Sequence, residues 1–209
     1  MTGKVQIGRM TQLDRDQIFL LYALTESARA LKKFDEAREL AATREQRAPG
    51  VEVRENQSIF DSIRMALQFS ANVSKVFWPS DSSPARERGR RLRQLTGIAD
   101  NHALKSRALR NHVEHMDERL DNWTANSPRP FLAIEQALYA DMQSLPNVQE
   151  IIDSTVVVYM EADNSVHLFG ERFLLADLRT NVLDVQNRIS TGLTQSFQNP
   201  LNRSGLSSV

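Results

Sequence analysis

The stretch from Ala103 to Trp123, ALKSRALRNHVEHMDERLDNW, does most to limit what this 209-residue chain can fold into. Apolar residues recur in it at alternating steps of four and three positions, which places their side chains on one face of an α-helix. This face comprises Leu109, Val113, Met116, Leu120 and Trp123. Asp100 or Asn101 can cap the start of the helix, and Pro128 and Pro130 prevent its continuation. The stretch is therefore predicted to form one long amphipathic helix.

Three further helices are predicted ahead of this one. The first begins near Asp14, and its apolar residues have helical spacing. They are Ile18, Leu21, Tyr22, Leu24, Thr25, Ala28 and Leu31. The charged residues 32–47 are either its solvated end or a second short helix, which Pro49 and Gly50 end. The second helix is expected over about residues 53–77 and the third, shorter helix over residues 85–95. Four helices separated by proline-containing breaks predict an antiparallel four-helix bundle.

The character of the sequence changes after the last of these helices. Residues 131–142 are predicted as a further helix, and residues 154–161, STVVVYME, as a β-branched strand. A turn at residues 163–164 and a second apolar run over residues 165–175 complete a predicted β-hairpin. This hairpin must pack on the helices, because an isolated hairpin is only marginally stable. Residues 176–189 return to helical spacing.

The expected fold is mainly α, with three parts in chain order. Residues 1–127 are predicted to form an antiparallel helical bundle. Residues 128–195 are predicted to add a C-terminal appendage of helix, β-hairpin and helix, packed on the bundle, and residues 196–209 form a polar tail. Hydrophobic residues make up 41% of the chain, which is enough to build a core of this size.

Composition narrows the classes of function. The formal net charge is +0, so overall charge gives no indication of a nucleic-acid partner, and such binding would need a local patch. The chain has 0 cysteines, which excludes disulfides, thiolate metal ligands and cysteine nucleophiles. No segment has the roughly 20 apolar residues of a membrane span, and the N-terminus lacks an apolar signal core. We therefore expect a cytoplasmic protein without membrane contact.

Arg110, Asn111 and His115 form the candidate catalytic cluster. An arginine presents a planar fork of donors that suits phosphate oxygens, and a histidine can act as general acid or base near neutral pH. These groups suffice for metal-independent RNA cleavage, in which His115 removes a proton from a ribose 2′-hydroxyl and Arg110 stabilises charge on the phosphate. His112 is the competing histidine. No metal or other cofactor is expected, because the acids nearest the two histidines point elsewhere on the helix wheel.

Helical geometry predicts a dimer if this site is real. Five residues advance about 500° around the axis, so Arg110 and His115 lie roughly 140° apart and one helix alone cannot close both around a phosphate. A two-fold pairing of the motif helices would bring the arginine and histidine of one chain close to their copies in the other.

Each candidate residue also has a plainer interpretation. Arg110 and Glu114 can form an i,i+4 ion pair on a solvated face, and His112 lies nearer the apolar stripe, where burial is expected. In the run RERGRRLRQL at residues 86–95, Glu87 is the one acidic residue among the arginines. The run is either a solvated helix face or a nucleic-acid-binding surface. The candidate substrate-binding residues are Arg86, Arg90, Arg91, Arg93 and Arg107.

The spacing of Arg110, Asn111 and His115, in the fourth helix of the expected bundle, resembles the HEPN superfamily (higher eukaryotes and prokaryotes nucleotide-binding). The signature of that family is arginine, a polar residue, a short spacer and histidine, and the resemblance covers about residues 14–123. It implies an all-α bundle that dimerises through its motif helices. In many members it implies a metal-independent endoribonuclease of a toxin, antiphage-defence or RNA-processing system. RNA is then the substrate, and an antitoxin or a nucleotidyltransferase is the kind of protein partner expected.

Two functions from different classes remain open at this point. The first is a homodimeric, HEPN-like endoribonuclease with a composite arginine and histidine site, which leaves a 2′,3′-cyclic phosphate or a 3′-phosphate. The alternative is a non-catalytic HEPN-like dimer that binds a nucleotide or a protein partner, with the β-hairpin as its recognition surface.

Overall fold

The computed structural model describes residues 12–43, 52–80, 83–126, 133–139 and 146–198. These residues are mainly helical, with a small four-stranded sheet in the C-terminal part of the chain. In chain order the elements are α1 (Gln12–Ala42), α2 (Glu52–Phe77), α3 (Ser83–Thr96), a 3-10 turn (Ala103–Lys105), α4 (Ala108–Glu114), α5 (Met116–Asn126), β1 (Ala133–Leu138), α6 (Val148–Asp153), β2 (Thr155–Met160), β3 (Ser165–Leu168), β4 (Glu171–Leu174) and α7 (Leu175–Gln198).

Helix α1 packs against α2 and α7 through a face rich in alanine. The buried apolar residues of this face are Leu20, Ala23, Ala30, Phe34, Ala37 and Ala41. Alanine side chains let neighbouring helices approach closely, and α7 presents the β-branched Val182, Val185 and Ile189, all buried, to the core. The larger hydrophobic cluster therefore extends from the first described helix to the last.

The apolar face predicted for α1 is wrong in its orientation. Ile18, Leu21 and Tyr22 are 52%, 49% and 47% exposed and lie on the outer surface of the helix, whereas Leu24 and Leu31 of the predicted face do pack against the core. Helix α1 carries two apolar faces, and close packing against α2 and α7 selects the one with small residues. Sequence interpretation gave more weight to the larger residues.

Helix α3 lies directly against the end of α2. A Cβ atom added at Gly89 would meet the carbonyl oxygen of Phe77 at 2.6 Å and Cδ of Pro79 at 2.8 Å, so only glycine permits this approach. Arg93 of α3 also donates a hydrogen bond to the Phe77 carbonyl. These contacts fix the segment that follows α2, which includes Trp78.

The sheet has the strand order β1-β2-β3-β4. Strand β1 pairs with β2 in parallel, with α6 between them in the chain, and the other two pairings are antiparallel. One face meets the helical core through residues that include Val157, Tyr159 and Val166, whereas α6 covers a second cluster that contains Val158 and Met160.

Two predictions for this region have different outcomes. The predicted hairpin is confirmed, since β2 and β3 are antiparallel, but a turn at Phe169 and Gly170 divides its second strand and adds β4. The predicted helix over residues 131–142 is wrong, because residues 133–138 form strand β1. Ala, Leu, Gln and Glu favour helix in this stretch, yet parallel pairing with the fully buried β2 outweighs that local preference.

Candidate functional site

The motif stretch does not form the single continuous helix predicted from the sequence. Helix α4 ends at His115, whose φ of −121° and ψ of 42° lie outside the helical region, and α5 begins at the next residue. The amides of Asn111, His115 and Arg119 still donate to the carbonyls four residues earlier, at 2.8, 3.1 and 3.0 Å. The break is therefore local, and it leaves the apolar spacing that predicted one helix unchanged.

Arg110 lies inside the protein, so the plainer interpretation that placed it on a solvated face of the helix is wrong. The residue is only 4% exposed. Its Nη1 donates to the carbonyl of Trp78 at 2.7 Å, Nη2 lies 3.5 Å from Oγ of Ser80, and Nε is buried without a hydrogen-bond partner. The expected ion pair with Glu114 is also wrong, because Glu114 binds Lys75 at 2.5 Å. Among the described residues, no carboxylate pairs with the Arg110 guanidinium.

A cavity of about 80 Å³ adjoins Arg110, between α2, the start of the motif stretch and the α7 side of the fold. Its polar lining consists of Arg110 and three serines, and the remaining lining is apolar. Ser70 and Ser74 donate their hydroxyl protons to the backbone carbonyls of Ala66 and Leu104, at 2.7 and 2.6 Å. The third serine, Ser106, accepts from a backbone amide at 3.4 Å, so its own proton is available to donate.

The expected burial of His112 is confirmed. Its Nε2 lies 2.6 Å from Oε2 of Glu171, and its ring stacks on Phe169 at a centroid distance of 5.8 Å and meets the edge of Phe173 at 5.6 Å. His112 thus ties α4 to the turn between β3 and β4. Sequence interpretation missed Glu171 and Phe169, because nothing in the spacing connects that turn to α4.

Asn111 and His115 are exposed and lie one helical turn apart. Nδ1 of His115 is 3.6 Å from Oε2 of Glu118, a contact that leaves half of the side chain exposed. Arg107 is exposed one turn before Asn111, and Arg119 is partly exposed one turn after His115. The structure therefore separates the three predicted catalytic residues, with Asn111 and His115 outside and Arg110 inside.

The arginines of α3 have more acidic partners than Glu87 alone, contrary to the sequence interpretation. Arg90 does bind Glu87, at 2.6 Å. Arg91 binds Asp16 of α1 at 3.1 Å, and the hydrogen bonds that it donates to the Asp16 carboxylate raise the pKa of the Arg91 guanidinium. Arg93 binds Asp100 at 2.7 Å. Most of this run therefore holds α3 in place rather than forming an open basic surface, although Arg86 is exposed.

His102 lies at the start of the motif stretch, packed against the same segment that Arg110 contacts. Its ring stacks on Trp78 with a centroid distance of 5.8 Å, and Nδ1 accepts a hydrogen bond from the Leu104 amide at 3.2 Å. Burial lowers the pKa of His102, and the nearby Asp184 carboxylate opposes part of that effect. The histidine is therefore held neutral as a cap for the 3-10 turn.

Within the described ranges, no group of three or more His, Asp or Glu side chains is arranged to hold a metal ion. In the same part of the chain, no helix is both long enough and apolar enough to cross a membrane. Comparison of the chain with protein-family models, with curated proteins and with solved structures finds no match.

Proposed function

We propose that the protein is a non-catalytic, HEPN-like helical module that works as a symmetric dimer with α5 at the interface. The observation that supports this most strongly is the environment of α5, in which none of the eleven residues is buried. Met116 and Leu120 are 37% and 41% exposed, one turn apart on the apolar stripe. Burying the part of each side chain that is still exposed contributes about 1 kcal/mol, a fraction of the value for full burial, so an amphipathic helix left open in this way favours association.

The distribution of charge supports a second copy of the chain as the occupant of this face. The exposed charged side chains beside Leu120 include Asp117, Glu118 and Asp121, so α5 would repel a copy of itself. Helix α1 offers the complement, an exposed apolar stripe formed by Ile18, Leu21 and Tyr22 together with exposed basic side chains. These basic residues are Arg15, Arg29 and Lys32. A two-fold dimer in which α5 of each copy contacts α1 of the other would therefore cover both apolar stripes and place acidic side chains near basic ones, two of which, Arg29 and Lys32, also pair with Glu26 and Glu36 of α1.

Light scattering at micromolar concentration tests this assembly, with twice the chain mass of 23.7 kDa as the expected result. Leu120→Asp should give a monomer, because it places a charge in the apolar contact. Met65→Asp is the matched control, since Met65 is 42% exposed but belongs to α2, and it should remain a dimer. A monomeric wild type, or a Leu120→Asp dimer, would overturn the proposal.

Salt dependence distinguishes the α1–α5 contact from direct pairing of two α5 helices. Contact between opposite charges weakens as ionic strength rises, whereas contact between two acidic helices strengthens. The dimer dissociation constant should therefore increase between low and high salt. A decrease would instead place the two α5 helices against each other.

The endoribonuclease predicted from the sequence is the second candidate, and one observation favours it. Asn111 and His115 are both open to solvent, and Arg107 and Arg119 lie one turn on either side of them. In this form of the proposal, His115 is the general acid or base and the flanking arginines bind the phosphate. Arg110 then supports the helix from inside.

RNA cleavage in the presence of EDTA tests this candidate. His115→Ala should reduce the rate by about 10²–10⁴-fold, the usual contribution of a general acid or base. Arg110→Met serves as the comparison, because it alters the buried arginine that the sequence had placed in the active site. Equal rates for wild type and His115→Ala would exclude the mechanism, and a dimer without cleavage on a broad RNA panel would favour the non-catalytic module.

A further inference from the structure

We propose that the cavity between α2, α4 and α7 is a binding site for a small, uncharged, apolar molecule. The proposal goes beyond assembly through α5 and does not depend on it, since the residues that line the cavity belong to one chain. It gives the guanidinium of Arg110 no part in binding, because that group contacts Trp78 and Ser80, which do not line the cavity.

The first observation is the apolar character of the walls. Most of the lining side chains are apolar, and they come from elements that lie far apart in the sequence. They are Ala71 of α2, Ala103 and Leu104 of the 3-10 turn, Leu109 of α4, Phe173 of β4 and Leu178 of α7. A mainly apolar lining with a few polar groups is typical of sites for small molecules, and an apolar ligand that enters it leaves contact with water.

The second observation is that the buried serines of the lining already have partners. Ser70 donates its hydroxyl proton to the Ala66 carbonyl at 2.7 Å, and Ser74 donates to the Leu104 carbonyl at 2.6 Å. An apolar molecule that covers these hydroxyls therefore breaks no hydrogen bond and leaves no proton of theirs unpaired. The same two serines have no proton left to donate to an anion, so an uncharged ligand is favoured.

The third observation is size. A single water needs roughly 10–15 Å³ of space for a water-sized probe, whereas an engineered apolar cavity of about 150 Å³ holds benzene or xenon. By proportion with benzene, the present cavity of about 80 Å³ has room for about three carbon-sized atoms. It therefore suits a very small apolar molecule, and a longer ligand could place only its apolar end inside.

The fourth observation is access from solvent. Ala103 and Ser106 line the cavity and are both exposed, whereas Ser70 and Ala71 on the α2 wall are fully buried. The cavity thus extends from a solvent-facing side at the 3-10 turn and the residues just after it to a buried wall on α2. A molecule that enters from the solvent-facing side reaches the apolar interior.

Xenon is the probe for the unsubstituted protein, and methyl NMR of the full-length chain reports where it binds. The methyl resonances of Ala71 and Leu109 should shift as the xenon pressure rises. The methyl resonance of Ala23, which is as fully buried as Ala71 but does not line the cavity, should not shift. Acetate at constant ionic strength, a small anion, should shift none of these resonances.

A variant that fills the cavity is the second test. Ala71→Leu adds an isopropyl group at the α2 wall, which is about the size of the open space, so it should abolish the xenon shift at Leu109 and keep the wild-type melting temperature. Ala66→Leu is the matched control, since Ala66 is also fully buried in α2 but does not line the cavity. It should lower the melting temperature by about 2–10 °C, because additional carbon atoms overpack a filled core.

A variant that enlarges the cavity tests the site from the other direction. Leu109→Ala removes part of one wall, so benzene should then bind and raise the melting temperature of the variant. The wild-type protein at the same benzene concentration should show a smaller rise, because its cavity is too small for the ring.

Four results would overturn the assignment. They are absence of xenon shifts at the lining methyl groups, xenon shifts that persist in Ala71→Leu, shifts of the same methyl groups by acetate, and a loss of stability in Ala71→Leu as large as that in Ala66→Leu. Failure of Ala71→Leu to fold belongs to the last of these, so it also decides against the proposal. None of the measurements depends on the oligomeric state, and each is therefore separable from failure of the dimer.

Discussion

Helices α4 and α5 derive from one uninterrupted run of helical sequence and have opposite environments. In α4, Leu109, Arg110 and His112 are buried, whereas α5 contains no buried residue. The apolar spacing is the same in both, so the difference comes from the elements that reach them. Helix α4 lies against α2 and is held by the Trp78 carbonyl and the β3–β4 turn. Spacing therefore identifies which residues share a face, and the neighbouring elements determine whether that face is covered.

The largest expected difference is in the free energy of unfolding of alanine variants at two leucines of the same predicted apolar face. Leu109→Ala should lower the free energy of unfolding by about 2–5 kcal/mol, because it leaves a void in the core. Leu120→Ala should cost less than about 1 kcal/mol at concentrations where the chain is monomeric, because Leu120 already contacts water. Urea denaturation measures both. Equal losses would mean that α5 is as firmly packed as α4.

The two histidines of the motif provide the next comparison. His112→Ala removes a buried ring between Phe169 and Phe173 and its bond to Glu171, so it should cost about 2–3 kcal/mol. His115→Ala alters an exposed side chain and should remain within about 0.5 kcal/mol of wild type. Urea denaturation also measures these two losses in the free energy of unfolding. A larger loss for His115→Ala than for His112→Ala would contradict the helix break that leaves His115 exposed.

In the unsubstituted protein, α5 should likewise be locally less stable than α4. Amides of α5 should exchange with solvent at least about tenfold faster than those of α4, equivalent to about 1.4 kcal/mol, because few buried contacts oppose their opening. Hydrogen exchange followed by mass spectrometry or NMR resolves the two helices. Slower exchange in α5 as the protein concentration rises would also support its place in the dimer interface, whereas uniformly slow exchange in dilute solution would contradict the comparison.

The smallest effect concerns pH at the start of the segment. Burial lowers the pKa of His102 in the folded state, so the unfolded chain, with a pKa of about 6.5, binds the proton more tightly. Neutral His102 therefore makes its full contribution to the free energy of unfolding above about pH 6.5. That contribution is lost as the pH falls below that value towards the folded-state pKa. His102→Asn keeps an acceptor for the Leu104 amide but does not titrate, so its stability should fall less than that of wild type on acidification.

Denaturation at about pH 7.5 and about pH 5.5 measures this difference, because the two values lie on either side of the ordinary histidine pKa. His115→Asn is the matched control at an exposed histidine of the same stretch and should retain the wild-type dependence. Identical pH profiles for His102→Asn and wild type would show that another group is responsible. His167 is the first alternative, since burial lowers its pKa as well.

The local sequence pattern predicted the secondary-structure elements of this fold better than it predicted which elements pack against each other. The helical character of α1, α2, α3 and α7 and the β2–β3 hairpin followed from spacing and β-branched residues, and the burial of His112 followed from its position beside the stripe. The inward face of α1 and strand β1 were missed, because packing partners distant in sequence select them.

The same limit explains the outcome for the candidate site. Arginine is usually a surface residue, and the carbonyl of Trp78, more than thirty positions earlier, holds Arg110 in an interior position. The cavity beside it combines residues from α2, α4, β4 and α7, which no spacing in the sequence connects. Spacing therefore predicted that Arg110 lies on a helix, whereas the surroundings of its side chain depended on the fold.

The packing of α7 against α1 has a consequence for synthesis of the protein in the cell. Arg179 of α7 binds Asp35 of α1 at 2.9 Å, and the valines and isoleucine of α7 cover the core that α1 begins. Translation proceeds at about 5–20 residues per second, so the nascent chain displays this apolar surface until residues 175–198 leave the ribosome. During that interval we expect chaperones to bind the surface. A message that stops before α7 should yield a chain that remains bound to them and is degraded.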